Sequence, residues 1–329
     1  MSVANLTNLS NHYGGNPEFV LAGGGNTSYK TEEDLYIKGS GTTLATITAD
    51  GFVRMDRKKL REMWQKTYPA DTAAREREVL ADMMAARAPE DAHKRPSVET
   101  LLHDMFPSAY VLHVHPSVVN GVTCGRDGEA FVQEAFRGVA GWVPDTRPGY
   151  ILARETKDVM EAFRQQYGRL PNVLFLQNHG IFFAADTPEE MDALVQSVWR
   201  TLETHVIRTP DLSAVDYDQQ RAVAVAPVLR MLNRQGEAGS VVTFVTNQAV
   251  MAYARHRAAF EPISLAFTPD HIVYCKHQPL WLESTEPESV RAAYQAYCDK
   301  NGNPPKIIFI KGLGYFACGK NKKEADIAA

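Results

Sequence analysis

The stretch PNVLFLQNHGIFFAADTPEEMD, residues 171–192, reads as a strand, a polar turn, a second strand and the start of a helix. The apolar runs on either side of Asn-His-Gly have strand length and composition, and the turn residues between them bring the two runs back on each other. DLYIKGSG, GFVRM, AYVLHVH and YILAR share this strand character, while residues 72–88, 155–167 and 187–206 show helical periodicity. This alternation predicts an α/β layered domain with a central sheet.

The pattern returns late in the chain. PKIIFIKGLGYFACGKNKKEAD, residues 305–326, aligns with 171–192 without gaps and shares Pro, Phe, Gly, Phe, Glu and Asp at matching positions. EEDLYIKGSG and TPDHIVYCKHQP form a weaker pair. A spacing this long excludes a solenoid and leaves a duplicated domain or convergent patterning. Where the first copy has Asn178-His179-Gly180, the second has Gly312-Leu313-Gly314, so a metal-binding role for His179 has no counterpart there. Between the copies, residues 207–237 are polar and broken by Pro and Gly around one helix, which reads as a connection. The expected organisation is a catalytic domain over 1–210, a connecting segment over 211–237, and an α/β extension over 238–329 without a metal site. The extension contains no His-x-His strand. His271 and His277 flank a strand-like IVYC, and about 20 Å between their Cα atoms is too far to share one ion.

Composition bounds the partner. A chain of 329 residues with 44% hydrophobic content can bury a sizeable core as one large or two ordinary domains, and its net charge of −4, with both signs interspersed, offers no basic field for nucleic acid or a membrane surface. The expected partner is a small molecule. Cys124, Cys275, Cys298 and Cys318 form no CxxC pair and read as buried thiols in a reducing compartment. No leader pattern and no bilayer-length apolar run are present, so the expected location is cytoplasmic, and the Asn-x-Ser/Thr matches at Asn5, Asn8 and Asn26 are set aside.

VLHVHPSVVN, residues 111–120, places His113 and His115 on the same face of a strand, close enough to share an ion. Three further polar segments precede or flank it: the glycine-rich AGGGNTSYK (22–30), YIKGSGTTL (36–44), and KRPSVETLLHDMF (94–106), which sets Ser97 beside Glu99 ahead of a short helix. The glycine-rich turns can present backbone N–H groups to an anion, and each segment alone is equally an ordinary turn or helix cap. His103 lies four residues after Glu99, where it either orients that carboxylate or simply packs. The remaining histidines read as surface or packing residues.

In this order, a Gly-Asn-x-Ser turn, a Ser-Gly turn, a Ser-x-Glu segment, a His-x-His-Pro strand and an Asn-His-Gly turn resemble the class II aldolase/adducin family over roughly residues 15–205. The C-terminal part is similar to the extended aldolase region of bifunctional rhamnulose-1-phosphate aldolase/alcohol dehydrogenases. No strand followed by GxGxxG and a helix occurs in these residues, so no dehydrogenase domain is expected among them. The resemblance implies a three-layer α/β/α sandwich, a homo-oligomer, and zinc or another divalent metal held by His113, His115 and His179. It assigns acid/base work to Glu99 and binding of a small phosphorylated or acidic sugar to Asn26, Ser28, Ser40, Gly41 and Ser97. The implied reaction is reversible retro-aldol cleavage of a ketose phosphate of the rhamnulose or fuculose 1-phosphate type, or of a related hydroxy-ketone, through a metal-stabilised enediolate. The alternatives are a sugar-phosphate epimerase or decarboxylase of the same family, or a non-catalytic adducin-like binding protein. One departure stands out: the phosphate-aldolase pattern has two serines before the glutamate, and here Val98 replaces the second.

Overall fold

In the computed structural model, which describes residues 2–234 and 239–329, the chain divides into two units, one ending at Val206 and the other beginning at Ile207. The first is built on seven strands: β1 Asn26–Lys30, β2 Asp34–Lys38, β3 Phe52–Asp56, β4 Tyr110–Val114, β5 Ala140–Val143, β6 Val173–Leu176 and β7 Gly180–Ala185. They form one sheet in the order β3-β2-β1-β4-β7-β6-β5, antiparallel except for the β5–β6 pair.

Alternation along the strands sends side chains to two cores. On one face Leu112, Val114, Phe175 and Ile181 pack with Leu6 and Leu9 of the helix Val3–Gly14 and Val195 and Val198 of the helix Pro188–Glu203. On the other, Val111, Leu174 and Phe182 pack with Leu101 and Leu102 of the helix Thr100–Met105 and Leu152 and Met160 of the helix Tyr150–Tyr167. The central strands are covered on both sides, which is why they read as continuous apolar runs. The result is the expected α/β/α sandwich.

The second unit has its own sheet of four strands, β8 Val241–Val245, β9 Leu280–Leu282, β10 Ile307–Ile310 and β11 Gly314–Gly319, in the order β8-β11-β10-β9. These strands do not extend the first sheet. The helix Gln219–Leu232, within the segment read as a connection, is packed into this unit's core through Ala222, Val225 and Leu229. The expected boundary at 237/238 lies outside the described residues.

Three local expectations fail. YILAR is the first turn of the helix Tyr150–Tyr167, because Tyr150, Ala153, Thr156, Met160 and Phe163 recur at helical spacing as its buried stripe. The polar NTSYK is strand β1, not the end of a turn, with β2 on one side and β4 on the other. HIVYC forms a π-helical turn at His271–Cys275; Ile272 and Val273 remain 55% and 59% exposed, so no cross-strand neighbour rewards their β-branched side chains. The weaker sequence pair therefore has no structural counterpart. Among the described residues no helix is long and apolar enough to cross a membrane.

Candidate metal centre

Strand β4 presents His113 on the face covered by the helix Thr100–Met105, directly opposite Asn26 of β1 and Phe182 of β7. His115 follows just beyond the strand. The β6–β7 turn supplies His179: Asn178 takes a left-handed conformation, φ 56°, which Asn tolerates better than most residues. Gly180 comes next because a Cβ there would lie 2.5 Å from the His115 ring and 2.6 Å from the Val114 carbonyl. The Asn-His-Gly motif is thus a turn former, a ligand candidate and a clearance for the other strand.

The three rings converge through Nε2. His113 Nε2 is 2.9 Å from that of His115 and 3.3 Å from that of His179. Glu99 Oε1 lies 3.3 Å from His113 Nε2 and 3.4 Å from His179 Nε2. Donors on a tetrahedral ion at about 2.0–2.1 Å would be about 3.3 Å apart, so these separations fit such an ion. The protonation pattern fits too. His113 Nδ1–H donates to the Ile181 carbonyl at 2.9 Å, which leaves its Nε2 lone pair facing the other rings and the carboxylate. His113 is fully buried, and desolvation, then the nearby His115, push its pKa well below 6.5, so the ring stays neutral as a ligand must. Among the described residues, His113, His115 and His179 form a cluster able to hold a metal ion.

Glu99 is the N-cap residue of the helix Thr100–Met105 but makes no side-chain cap bond, so its carboxylate is free to face the rings. It is 8% exposed, and Oε2 accepts from Asn26 Nδ2 at 2.5 Å. Ser97 Oγ accepts from the Glu99 backbone N–H at 3.2 Å. The Ser-Gly turn is laced to this segment: Ser40 N–H donates to the Arg95 carbonyl (2.8 Å), Ser40 Oγ to the Pro96 carbonyl (3.1 Å), and Ser97 N–H to the Lys38 carbonyl (3.2 Å). Gly41 turns the chain at φ 88°. Thus Asn26, Glu99 and the histidines meet directly, and Ser40, Gly41 and Ser97 are tied beside them. Ser28 differs. It is fully buried, with its hydroxyl 2.8 Å from His103 Nδ1, so it stands behind the site and out of reach of a ligand.

Lys38 was not singled out from the sequence. At the end of β2 it is 7% exposed; burial lowers its pKa and the charge of Glu99 partly opposes that shift. The available signal was a lysine following Leu-Tyr-Ile at the end of a strand, just ahead of the Gly-Ser-Gly turn. Lys30, also buried, is by contrast an anchor, with Nζ donating to the Phe106 and Ser108 carbonyls at 2.8 and 2.9 Å.

With a three-layer sandwich, a convergent His triad and an adjoining carboxylate in place, comparison with known proteins gives the same class. Residues 5–206 match the Class II Aldolase and Adducin N-terminal domain, and residues 220–329 match the Aldolase class II, second domain. The chain belongs to the class II aldolase and adducin family. A curated relative, the uncharacterized oxidoreductase YuxG of Bacillus subtilis, is 25% identical over 97% of this chain and 51% of its own length, so the chain spans about half of that protein. The N-terminal class II aldolase domain of a conserved Thermoplasma acidophilum protein shares the fold at 24% identity and a TM-score of 0.53, covering 63% of this chain and 94% of that one. An L-fuculose 1-phosphate aldolase is 17% identical with a TM-score of 0.42, over 62% of this chain and 84% of that one.

Proposed function

We propose that the chain is a metal-dependent aldolase that reversibly cleaves a ketose phosphate of the rhamnulose or fuculose 1-phosphate type, or a related hydroxy-ketone. The observation that carries this reading is the convergence of Glu99 Oε1 on the His113 and His179 ring nitrogens within 3.4 Å. A divalent ion held by His113, His115 and His179, zinc by preference for an all-imidazole set, would supply Lewis-acid stabilisation of charge developing on substrate oxygens. Glu99 takes the proton from the hydroxyl at the breaking bond and returns it in the reverse direction. Asn26 holds one carboxylate oxygen, so the other faces the reacting side.

The acidic end of the substrate falls to the Ser40-Gly41 turn and the Ser97 hydroxyl. Val98, 53% exposed, puts an apolar surface where a second hydroxyl would add a phosphate contact, so the anion is held with one hydroxyl fewer. A homo-oligomer in the cytoplasm completes the reading.

The test is to load the protein with zinc and offer a panel of ketose 1-phosphates. Release of dihydroxyacetone phosphate is the expected result, with Glu99→Gln retaining metal while losing about 100-fold or more in rate. A product with an unbroken carbon chain, or release of carbon dioxide, would replace the aldolase by an epimerase or decarboxylase built on the same residues.

A further inference from the structure

His103 sits behind the centre and is wholly inaccessible to solvent. Its two ring nitrogens bridge two side chains on the same face of β1: Nδ1 lies 2.8 Å from Ser28 Oγ, and Nε2 is hydrogen-bonded to Asn26 Oδ1. Asn26 Nδ2 in turn reaches Glu99 Oε2 at 2.5 Å. The direction of every bond in this chain follows from one end. A carboxylate only accepts, so Asn26 must turn its amide nitrogen toward Glu99. Its carbonyl oxygen then faces the ring, and His103 Nε2 must carry the proton. Nδ1 is left as an acceptor, and the Ser28 hydroxyl donates to it.

We propose that His103 is a positioning residue for Glu99: as a neutral ring protonated on Nε2, it locks the Asn26 amide and, through it, the rotation of the carboxylate that leaves Oε1 on the ligand rings. The catalytic consequence rests on the aldolase reading; the hydrogen-bond chain does not. Mere packing would ask less of the residue. The ring meets Phe182 edge-on at 5.4 Å between centroids, a contact any ring or branched apolar side chain could make.

Two measurements test this. The first uses metal-free protein labelled with ¹⁵N-histidine, with the His103 signals assigned by their loss in His103→Gln. The expected spectrum is that of a neutral ring with its proton on Nε2; a proton on Nδ1, or a doubly protonated ring at neutral pH, overturns the proposal. The second compares turnover in variants. Gln sets its amide nitrogen near the place of ring Nε2 and Asn sets its own near ring Nδ1, so His103→Gln should keep most of kcat. His103→Asn should lose about 10-fold or more, a fraction of the full acid/base contribution, with little change in KM. In an Asn26→Ala background, His103→Asn should cost nothing further, because the path is already cut. Equal losses for Gln and Asn, or independent losses in the double variant, overturn the proposal. The expected tautomer in a protein that cleaves no sugar would strike the aldolase reading alone, and cleavage with the opposite tautomer would strike only the positioning chain.

Discussion

Strands β4-β7-β6-β5 of the first unit and β8-β11-β10-β9 of the second are the same arrangement: an antiparallel pair, a hairpin, and a parallel partner at the end. The agreement reaches individual bonds. Gln177 N–H donates to the Val143 carbonyl and Lys311 N–H to that of Leu282, both at 2.9 Å; Ala184 to Asn172 and Cys318 to Lys306 repeat one another at 2.8 Å. Asp186 and Lys320 each donate N–H to a following glutamate, Glu190 and Glu324, at 3.1 Å. Asn178 and Gly312 occupy the same left-handed position. Such coincidence in turn, register and cap supports duplication over convergent patterning. At the three candidate ligand positions the side chains differ. Strand register places Phe244 where His113 stands, then Thr246 for His115, and the aligned turn places Leu313 for His179. The scaffold requires the turn residues and the glycines, and it is indifferent to the ligands.

The largest effect should come from exchanging those side chains. His113→Phe with His115→Thr and His179→Leu gives the first unit the second unit's set, and the second unit shows that such a set packs. We expect a folded protein by circular dichroism that carries no metal and turns over no substrate, and a native chain that carries one ion. Full metal occupancy in the triple variant, or two ions per native chain by elemental analysis, would break the comparison.

The glycines should act on both units alike in one respect and differently in another. A Cβ on Gly180 would meet the Val114 carbonyl at 2.6 Å, and one on Gly314 the Val245 carbonyl at 2.5 Å. Overpacking of this kind costs about 1–3 kcal/mol, so Gly180→Ala and Gly314→Ala should both lower the denaturation midpoint. Gly314 also sits at φ 140°, a region that disfavours any Cβ, and its variant should be the less stable of the two. Only Gly180→Ala should weaken metal binding, because the same Cβ would displace the His115 ring. A Gly180→Ala protein with native zinc affinity would show that His115 is no ligand.

What could be read from the sequence follows the same division. The 171–192 hairpin and the His-x-His strand were legible because their signals are local: continuous apolar runs for strands buried on both faces, turn residues between them, and a period-two pair of imidazoles. Strand β1 was not, since NTSYK satisfies its polar groups with residues far along the chain, Thr27 with Ser10 and Ser28 with His103, 17 and 75 positions away. The same holds for Asn26, expected at the substrate but joined to Glu99 from 73 positions away, and for Lys38, whose burial depends on the Ser-Gly turn closing against residues 95–97. Helix Gln219–Leu232 was seen as a helix, but its membership of a core could not be read without the strands it covers.

The smallest effect concerns the trace that the ligand position leaves in the second unit. Thr246 occupies the place of His115 and packs against Gly314 as His115 does against Gly180, with its Cβ 2.9 Å from the position a Gly314 Cβ would take. Its hydroxyl oxygen is buried and has no hydrogen-bond partner. An unsatisfied buried hydroxyl costs about 1–3 kcal/mol relative to an apolar group of the same shape, and valine has that shape. Thr246→Val should therefore leave metal content and turnover untouched and raise stability by about 1 kcal/mol, measured as a higher denaturant midpoint at unchanged slope. A loss of stability would mean that this hydroxyl is held by a partner in solution, and that the second unit kept a polar function at the one ligand position it did not make fully apolar.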